Sequence, residues 1–386
     1  MSTLKVGAIK GVSASSDAIT VANDGTCAAN ITSNGGGQLS NRNIIINGGM
    51  MINQRYEDAA HTPTDGIYTM DRWQAWMSTT GKFSVTRSDD HPDDFAKSLL
   101  VTSLSAATVT ADHEHGITTK IESQNMEQLA FGTSSAKSAT LSFYVKSSLT
   151  GTFGGLVANS ALNMSYVFSY TVNSANTWER KTITIPPTTS GSFSSGSSNG
   201  LQVHFEFGVG SNRTAAVGWQ TNTAVRGVSS QVNLIATNAA TWRMTGLQLE
   251  VGTTATEFEH RSFAQELALC QRYYYLHARY AMAGGNTGNV VVTDYGTQYS
   301  SSVVFTSFKH PVEMRAKPSM DCSTVSNGFI KYAAGTNAAF NSFTLDGITS
   351  RANAAVNVSI SGTAGHAVML RTNDVSGAFL AFSAEL

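Results

Sequence analysis

The sequence predicts an all-β protein, two consecutive antiparallel sandwiches joined by one short helix. Three observations lead there. Apolar and polar residues alternate with period two in a series of short segments, Gly, Ser, Asn and Pro fill the gaps, and a single segment carries helical spacing. Apolar residues make up 41% of the 386, enough to fill real cores. Charged residues make up only 13%, about half the usual share for a soluble domain.

Residues 1–40 are rich in Gly, Ser, Asn and Ala and end in the glycine run at 35–37. They read as an attachment arm followed by a flexible connection. From 41 to 260 the pattern is strand, turn, strand. At 141–146, Leu141, Phe143 and Val145 share one face, and 166–172 and 181–185 repeat the period. At 201–209, Leu201, Val203, Phe205, Phe207 and Val209 are expected to face a core, with Gln202, His204 and Glu206 facing solvent. In the last strand of this region, Leu247, Leu249 and Val251 alternate with Gln248 and Glu250.

The helix is expected over 263–277. Ser262 and Gln265 have the spacing of a capping box, and Phe263, Leu267, Cys270, Tyr274 and His277 fall on one stripe. That stripe packs on its own sandwich or, for Phe263, Leu267, Cys270 and Tyr274, forms a symmetric seam between subunits. The segment 261–282 then links to a second β region, 283–386, with short strand patterns to the end.

Charge and cysteine content exclude several functions. The formal net charge is −1 and no Lys/Arg run occurs, so the electrostatic footprint of nucleic-acid binding is missing. Cys27, Cys270 and Cys322 lie far apart with no CxxC pair, which supports neither a zinc site nor a disulfide framework. Neither a secretory leader nor a membrane-spanning apolar run is expected.

Three stretches resemble a recurrent family of phage tail-fibre and virion structural proteins. The first is NRNIIINGGM at 41–50 with Gln54 and Arg55, followed by YTMDRW at 68–73. The second runs from Leu247 through the helix to Tyr274, and the third is HPVEMRAKP at 310–318. The family pattern has Pro where this chain has Glu257. The resemblance implies a galactose-binding-like or carbohydrate-binding-module jelly roll at 41–260, followed by a β-sandwich tip at 283–386, often in a homotrimer. It implies a virion (tail) location after assembly in the host bacterial cytoplasm, with residues 1–40 docking to tail, baseplate or portal proteins. The role it implies is adhesion to a host surface glycan or protein, without membrane insertion. A capsid decoration or head fibre is the alternative, and a glycan depolymerase a more distant one.

No catalytic residues are expected. HExxH is absent, and no solenoid period of a depolymerase spike is present. His113 and His115, in the 112–115 run, would share one strand face, but two imidazoles do not complete a metal site. No cofactor is expected, apart from a structural calcium. Asp89, Asp90, Asp93 and Asp94 supply hard oxygen ligands for one, although without the spacing of a calcium loop. Among the aromatics, Trp73 and Trp242 read as core. Trp219, in a loop-like stretch, and Tyr295 and Tyr299, on a polar loop of the tip, are the candidate ligand platforms.

Overall fold

The computed structural model describes residues 8–9, 19–21, 27–29, 41–280, 290–349 and 351–386. Most of the 1–40 arm lies outside the described residues, as do residues 281–289. Within the arm, Ala8–Ile9, Ile19–Val21 and Cys27–Ala29 form a small antiparallel sheet. The protein is all-β. Among the described residues no helix is long and apolar enough to cross a membrane.

Two sheets form the first sandwich. The larger has the spatial order Gly218–Gln220, Ser165–Val172, Gly151–Asn159, Asn199–Val209, Glu114–Glu122, Trp73–Met77, Tyr68–Met70. The smaller runs Glu179–Ile185, Ala139–Ser147, Thr241–Val251, Ser98–Ser103, Phe83–Ser88. Between them lies an aromatic core, in which Phe143 meets Phe205 at 5.0 Å and Phe207 meets Trp242 at 5.0 Å. Trp73 and Trp242 are buried there. The Trp242 indole N–H donates to the Tyr170 hydroxyl at 3.0 Å, so the ring's polar end is satisfied inside.

Period two correctly sends Leu201, Val203, Phe205 and Phe207 into this core. The expectation for the opposite face is overturned: Gln202, His204 and Glu206 are only 5%, 0% and 1% exposed. Gln202 donates to the Asn159 and Ser160 carbonyls of the neighbouring hairpin at 3.4 and 3.1 Å, while segment 211–232 brings buried Arg226 beside His204 and Glu206, with Val225 and Val228 packed on Val167. The Thr241–Val251 strand repeats the lesson. Gln248 and Glu250 are buried beneath the returning chain, Gln248 accepting the Glu259 N–H at 2.8 Å and Glu250 the Thr256 N–H at 2.9 Å.

The helix begins as expected. Ser262 Oγ accepts the Gln265 N–H at 3.3 Å and Gln265 Oε1 accepts the Ser262 N–H at 3.1 Å, a complete capping box. It ends at Gln271, six residues earlier than its apolar stripe predicts. Tyr274–Arg279 is instead a strand, paired with Phe379–Ser383. Aromatic and β-branched residues suit a pleated surface, and tertiary pairing outweighs weak helical spacing. Phe263, Leu267, Cys270 and Tyr274 therefore do not form one helical stripe. Phe263 is 55% exposed, Cys270 is buried against Ile46 and Ile52, and Tyr274 lies on the strand.

The C-terminal sandwich pairs two sheets. The smaller is Tyr274–Arg279, Phe379–Ser383, Ser319–Cys322, and the larger has seven strands with Val291–Ser300 at its centre. Phe308, Phe329, Val358, Leu370, Leu380 and Phe382 share its core.

The family-like motif residues build the joint between the two sandwiches. Asn47 donates to the carbonyls of Ile52 and Asp71 at 2.8 and 2.9 Å. Gln54 donates to Asp71 Oδ1 at 2.6 Å and to the Tyr274 carbonyl at 2.7 Å. Arg72, 1% exposed and in the left-handed backbone region at φ 71°, pairs with Glu385 and lies over the Tyr273 ring at 3.6 Å. Arg55 pairs with the same carboxylate at 3.0 Å and covers the Tyr274 ring at 3.6 Å. Arg272 and Tyr273 both donate to Glu122, at 2.7 Å each. Burial alone would raise the Glu122 carboxyl's affinity for protons, but these donors outweigh it and hold its pKa below the usual value.

Candidate functional site

Tyr295 and Tyr299 lie on the central Val291–Ser300 strand, not on a loop. The period-two pleat that buries Gln298 turns Tyr295, Thr297 and Tyr299 outward. Tyr295 is 87% exposed and Tyr299 68%, which is rare for tyrosines on a middle strand. Neighbouring strands extend the surface. Phe305 and Ala367 both stand opposite Thr297, and Tyr332 stands opposite the exposed Met369. The Tyr299 and Phe305 rings lie 4.7 Å apart, and the Arg371 guanidinium lies 5.2 Å from the Tyr332 ring centre.

Buried hydrogen bonds fix this platform from behind. Gln298 Nε2 donates to the carbonyls of Ser300 and Ile360 at 2.9 Å each, and its Oε1 accepts Lys331 Nζ at 3.1 Å. The register slips between Thr293 and Gly296. Across that bulge, the hydroxyls of Thr293 and Thr306 donate to the Tyr295 carbonyl at 2.9 and 3.0 Å. The outward rings thus sit on a rigid backbone. An arrangement of flat rings carrying hydroxyls suits stacking against apolar ring faces, with polar contacts at the edge.

Trp219 lies elsewhere, on the edge strand Gly218–Gln220 of the first sandwich. It is half-buried, packed 5.5 Å from Tyr166 and 5.6 Å from Phe131, and its indole N–H donates to the Pro186 carbonyl at 3.0 Å. Its polar group is therefore committed within the fold.

The acidic run divides. Asp90 takes Lys146 at 2.8 Å, the Trp178 indole N–H at 3.0 Å and Arg243 at 3.3 Å, while Asp89 takes Lys97 at 2.6 Å. Burial raises the Asp90 pKa, but these donors prevail and hold it below the ordinary range. Asp93 and Asp94 are exposed. Among the described residues no three His, Cys, Asp or Glu gather as a metal-holding group. In the 112–115 run, Glu114 instead pairs with Arg226 at 2.8 Å, and burial with the neighbouring His113 lowers the His115 pKa to about 4.

One cluster escaped sequence reasoning. On the covered face of the larger first-sandwich sheet, Glu206 is buried with no hydrogen bond to either carboxyl oxygen among the described residues. His204 Nδ1 stands 3.8 Å away, and Arg226 lies 5.1 Å from the Trp76 ring. Burial drives the Glu206 pKa well above its normal value and lowers that of His204 to about 3. The available signal was the apolar pair Val225 and Val228 within a polar loop, which implies a covered face.

No protein-family model and no curated protein matches the sequence. Among solved structures, a tailspike domain of bacteriophage CBA120 is similar at 14% identity and a TM-score of 0.30, over 54% of this chain and 21% of the tailspike chain. A family 11 carbohydrate-binding module from Clostridium thermocellum, in complex with a β-1,3-1,4-mixed-linked tetrasaccharide, is similar at 14% identity and a TM-score of 0.27. That match covers 52% of this chain and 99% of the module. A family 61 module in complex with β-1,4-galactotriose is similar at 9% identity and a TM-score of 0.27, over 54% and 99%. Likeness at this level bears on neither ligand nor role.

Proposed function

We propose that this chain is a phage tail-fibre or tail-tip protein that adheres to a host surface glycan through the outer face of its C-terminal sheet. One observation carries the reading: Tyr295 and Tyr299 stand 87% and 68% exposed on a central strand whose backbone is pinned from behind. An exposed aromatic pair on a rigid flat sheet is costly to leave in water and useful for stacking on sugar rings. The three motif stretches and the sparse surface charge support the virion setting. In this reading residues 1–40 dock on the particle, the chain works as a homotrimer, and display of several copies converts weak single-site binding into firm attachment. It binds without turnover.

The test compares the purified chain with a Tyr295→Ala/Tyr299→Ala variant on a glycan array and on whole bacterial cells. The wild-type chain is expected to hold a discrete set of glycans, and the variant to lose roughly 5- to 150-fold in affinity, from two stacking contacts. Equal binding by the variant refutes the assignment. Retention on cells stripped of glycan points to a surface protein instead.

A further inference from the structure

A second, chemically different site lies on the first sandwich. The Thr241–Val251 strand slips register against Ala139–Ser147 between Thr245 and Gln248. Gly246 sits in that slip at φ 65°, and a Cβ there would come within 2.5 Å of Phe95 Cζ and 3.1 Å of Tyr144 Cδ2. The missing side chain leaves a seat in which rings meet. Phe95 lies 5.1 Å from Phe258 and 5.5 Å from Tyr144, and His260 lies 4.9 Å from Phe258. These rings line an open cleft of about 450 Å³, adjoined by a smaller hollow of about 220 Å³.

Carboxylates dominate what surrounds the rings. Asp94 and Glu257 line the cleft and Asp93 the adjoining hollow. Asp93 and Asp94 have no ion-pair or hydrogen-bond partner among the described residues. Glu257 is 88% exposed, with Arg180 Nη1 at 3.6 Å. The lining cation, Arg261, is already spent on the carbonyls of Asn43 and Ile45 and on Glu266. No Asn, Gln, Ser or Thr lines either hollow, which leaves the Tyr144 hydroxyl and the His260 ring as the side-chain hydrogen bonders there besides the charged groups. Aromatic faces and unneutralised carboxylates attract the same thing, a compact cation.

We infer that this cleft binds an ammonium group carried on a small organic body, either an amino sugar or a choline-type headgroup. The inference does not depend on the tyrosine platform, which is in the other sandwich.

The experiment titrates the full chain with glucosamine, N-acetylglucosamine and choline, followed by saturation-transfer NMR and calorimetry. Glucosamine or choline is expected to bind at millimolar strength and N-acetylglucosamine at least several-fold more weakly. Binding of glucosamine alone identifies an amino sugar as the source, and of choline alone a choline headgroup. Phe258→Leu, which keeps the bulk and removes the ring face, is expected to weaken binding roughly 2- to 30-fold. Asp94→Asn, at an exposed position that leaves folding intact, is expected to weaken it several-fold and to make it less sensitive to salt. The Tyr295→Ala/Tyr299→Ala variant is expected to bind as the wild type does. Equal affinity for the N-acetylated sugar, indifference to Asp94→Asn, or no binding of either cation at tens of millimolar overturns the proposal.

Discussion

Replacing Glu385 by Ala tests how the two sandwiches are held together. The carboxylate is 7% exposed and receives both Arg72, 1% exposed, and Arg55, 11% exposed. Arg72 keeps its hydrogen bond to the Lys120 carbonyl and its place over Tyr273 after the substitution, but no longer has an anion beside it. Removing one partner of a buried pair leaves an uncompensated charge and costs about 3–5 kcal/mol. For a cooperative unit of this size each kcal/mol moves the midpoint by roughly 1–2 °C, so a fall of roughly 3–10 °C is expected. The assay is scanning calorimetry at neutral pH, with a urea titration alongside. The control is Glu257→Ala, which breaks the exposed contact with Arg180 and should cost less than about 1 kcal/mol. A Glu385→Ala loss no larger than the control's would show that the joint is solvated and the reasoning wrong. Separation of one calorimetric transition into two is the further signature expected of an uncoupled joint.

Glu206→Gln is expected to stabilise the protein at pH 8 by about 1–3 kcal/mol. A folded pKa raised above the ordinary carboxyl value contributes stability below that value and forfeits it as pH rises. The gain should therefore vanish near pH 4, and a urea midpoint unchanged at pH 8 would count against it. His204 works in the opposite direction. Its folded pKa of about 3 lies below the ordinary imidazole value, so stability present above pH 6.5 is lost as pH falls toward 3. A His204→Gln variant should flatten that limb of the urea-midpoint profile, and an undiminished slope would assign it to other groups. Gly246→Ala is expected to cost about 1–3 kcal/mol, because its Cβ collides with Phe95 and its backbone is left-handed; an unchanged melting temperature would contradict the packing.

Much of the architecture was written in local patterns. The alternation at 201–209 and 247–251 named the core faces correctly, and the Ser262–Gln265 pair marked the helix start to the residue. The motif residues Asn47, Gln54, Arg55 and Arg72 were visible as a motif, but their work as a joint was not, because their partners lie in the helix segment and beside Glu385. The exposure of Tyr295 and Tyr299 agrees with the sequence reading, but for a different reason. Asp294, Gly296 and Gln298 made the stretch look like a loop, whereas Gln298 is the buried support of a strand.

By itself the sequence determined the all-β class, which residues share a strand face, where the helix starts, and a surface poor in charge. Only the tertiary structure decided what covers each face. A period of two says that Gln202, His204 and Glu206 lie together, and not whether water or another part of the chain lies above them. The same holds where the helix stops. Residues 274–279 follow a usable helical stripe, and pairing with the distant Phe379–Ser383 makes them a strand. Local periodicity encodes direction relative to the chain, while burial depends on which remote segment arrives, and that is settled by the free energy of the whole fold.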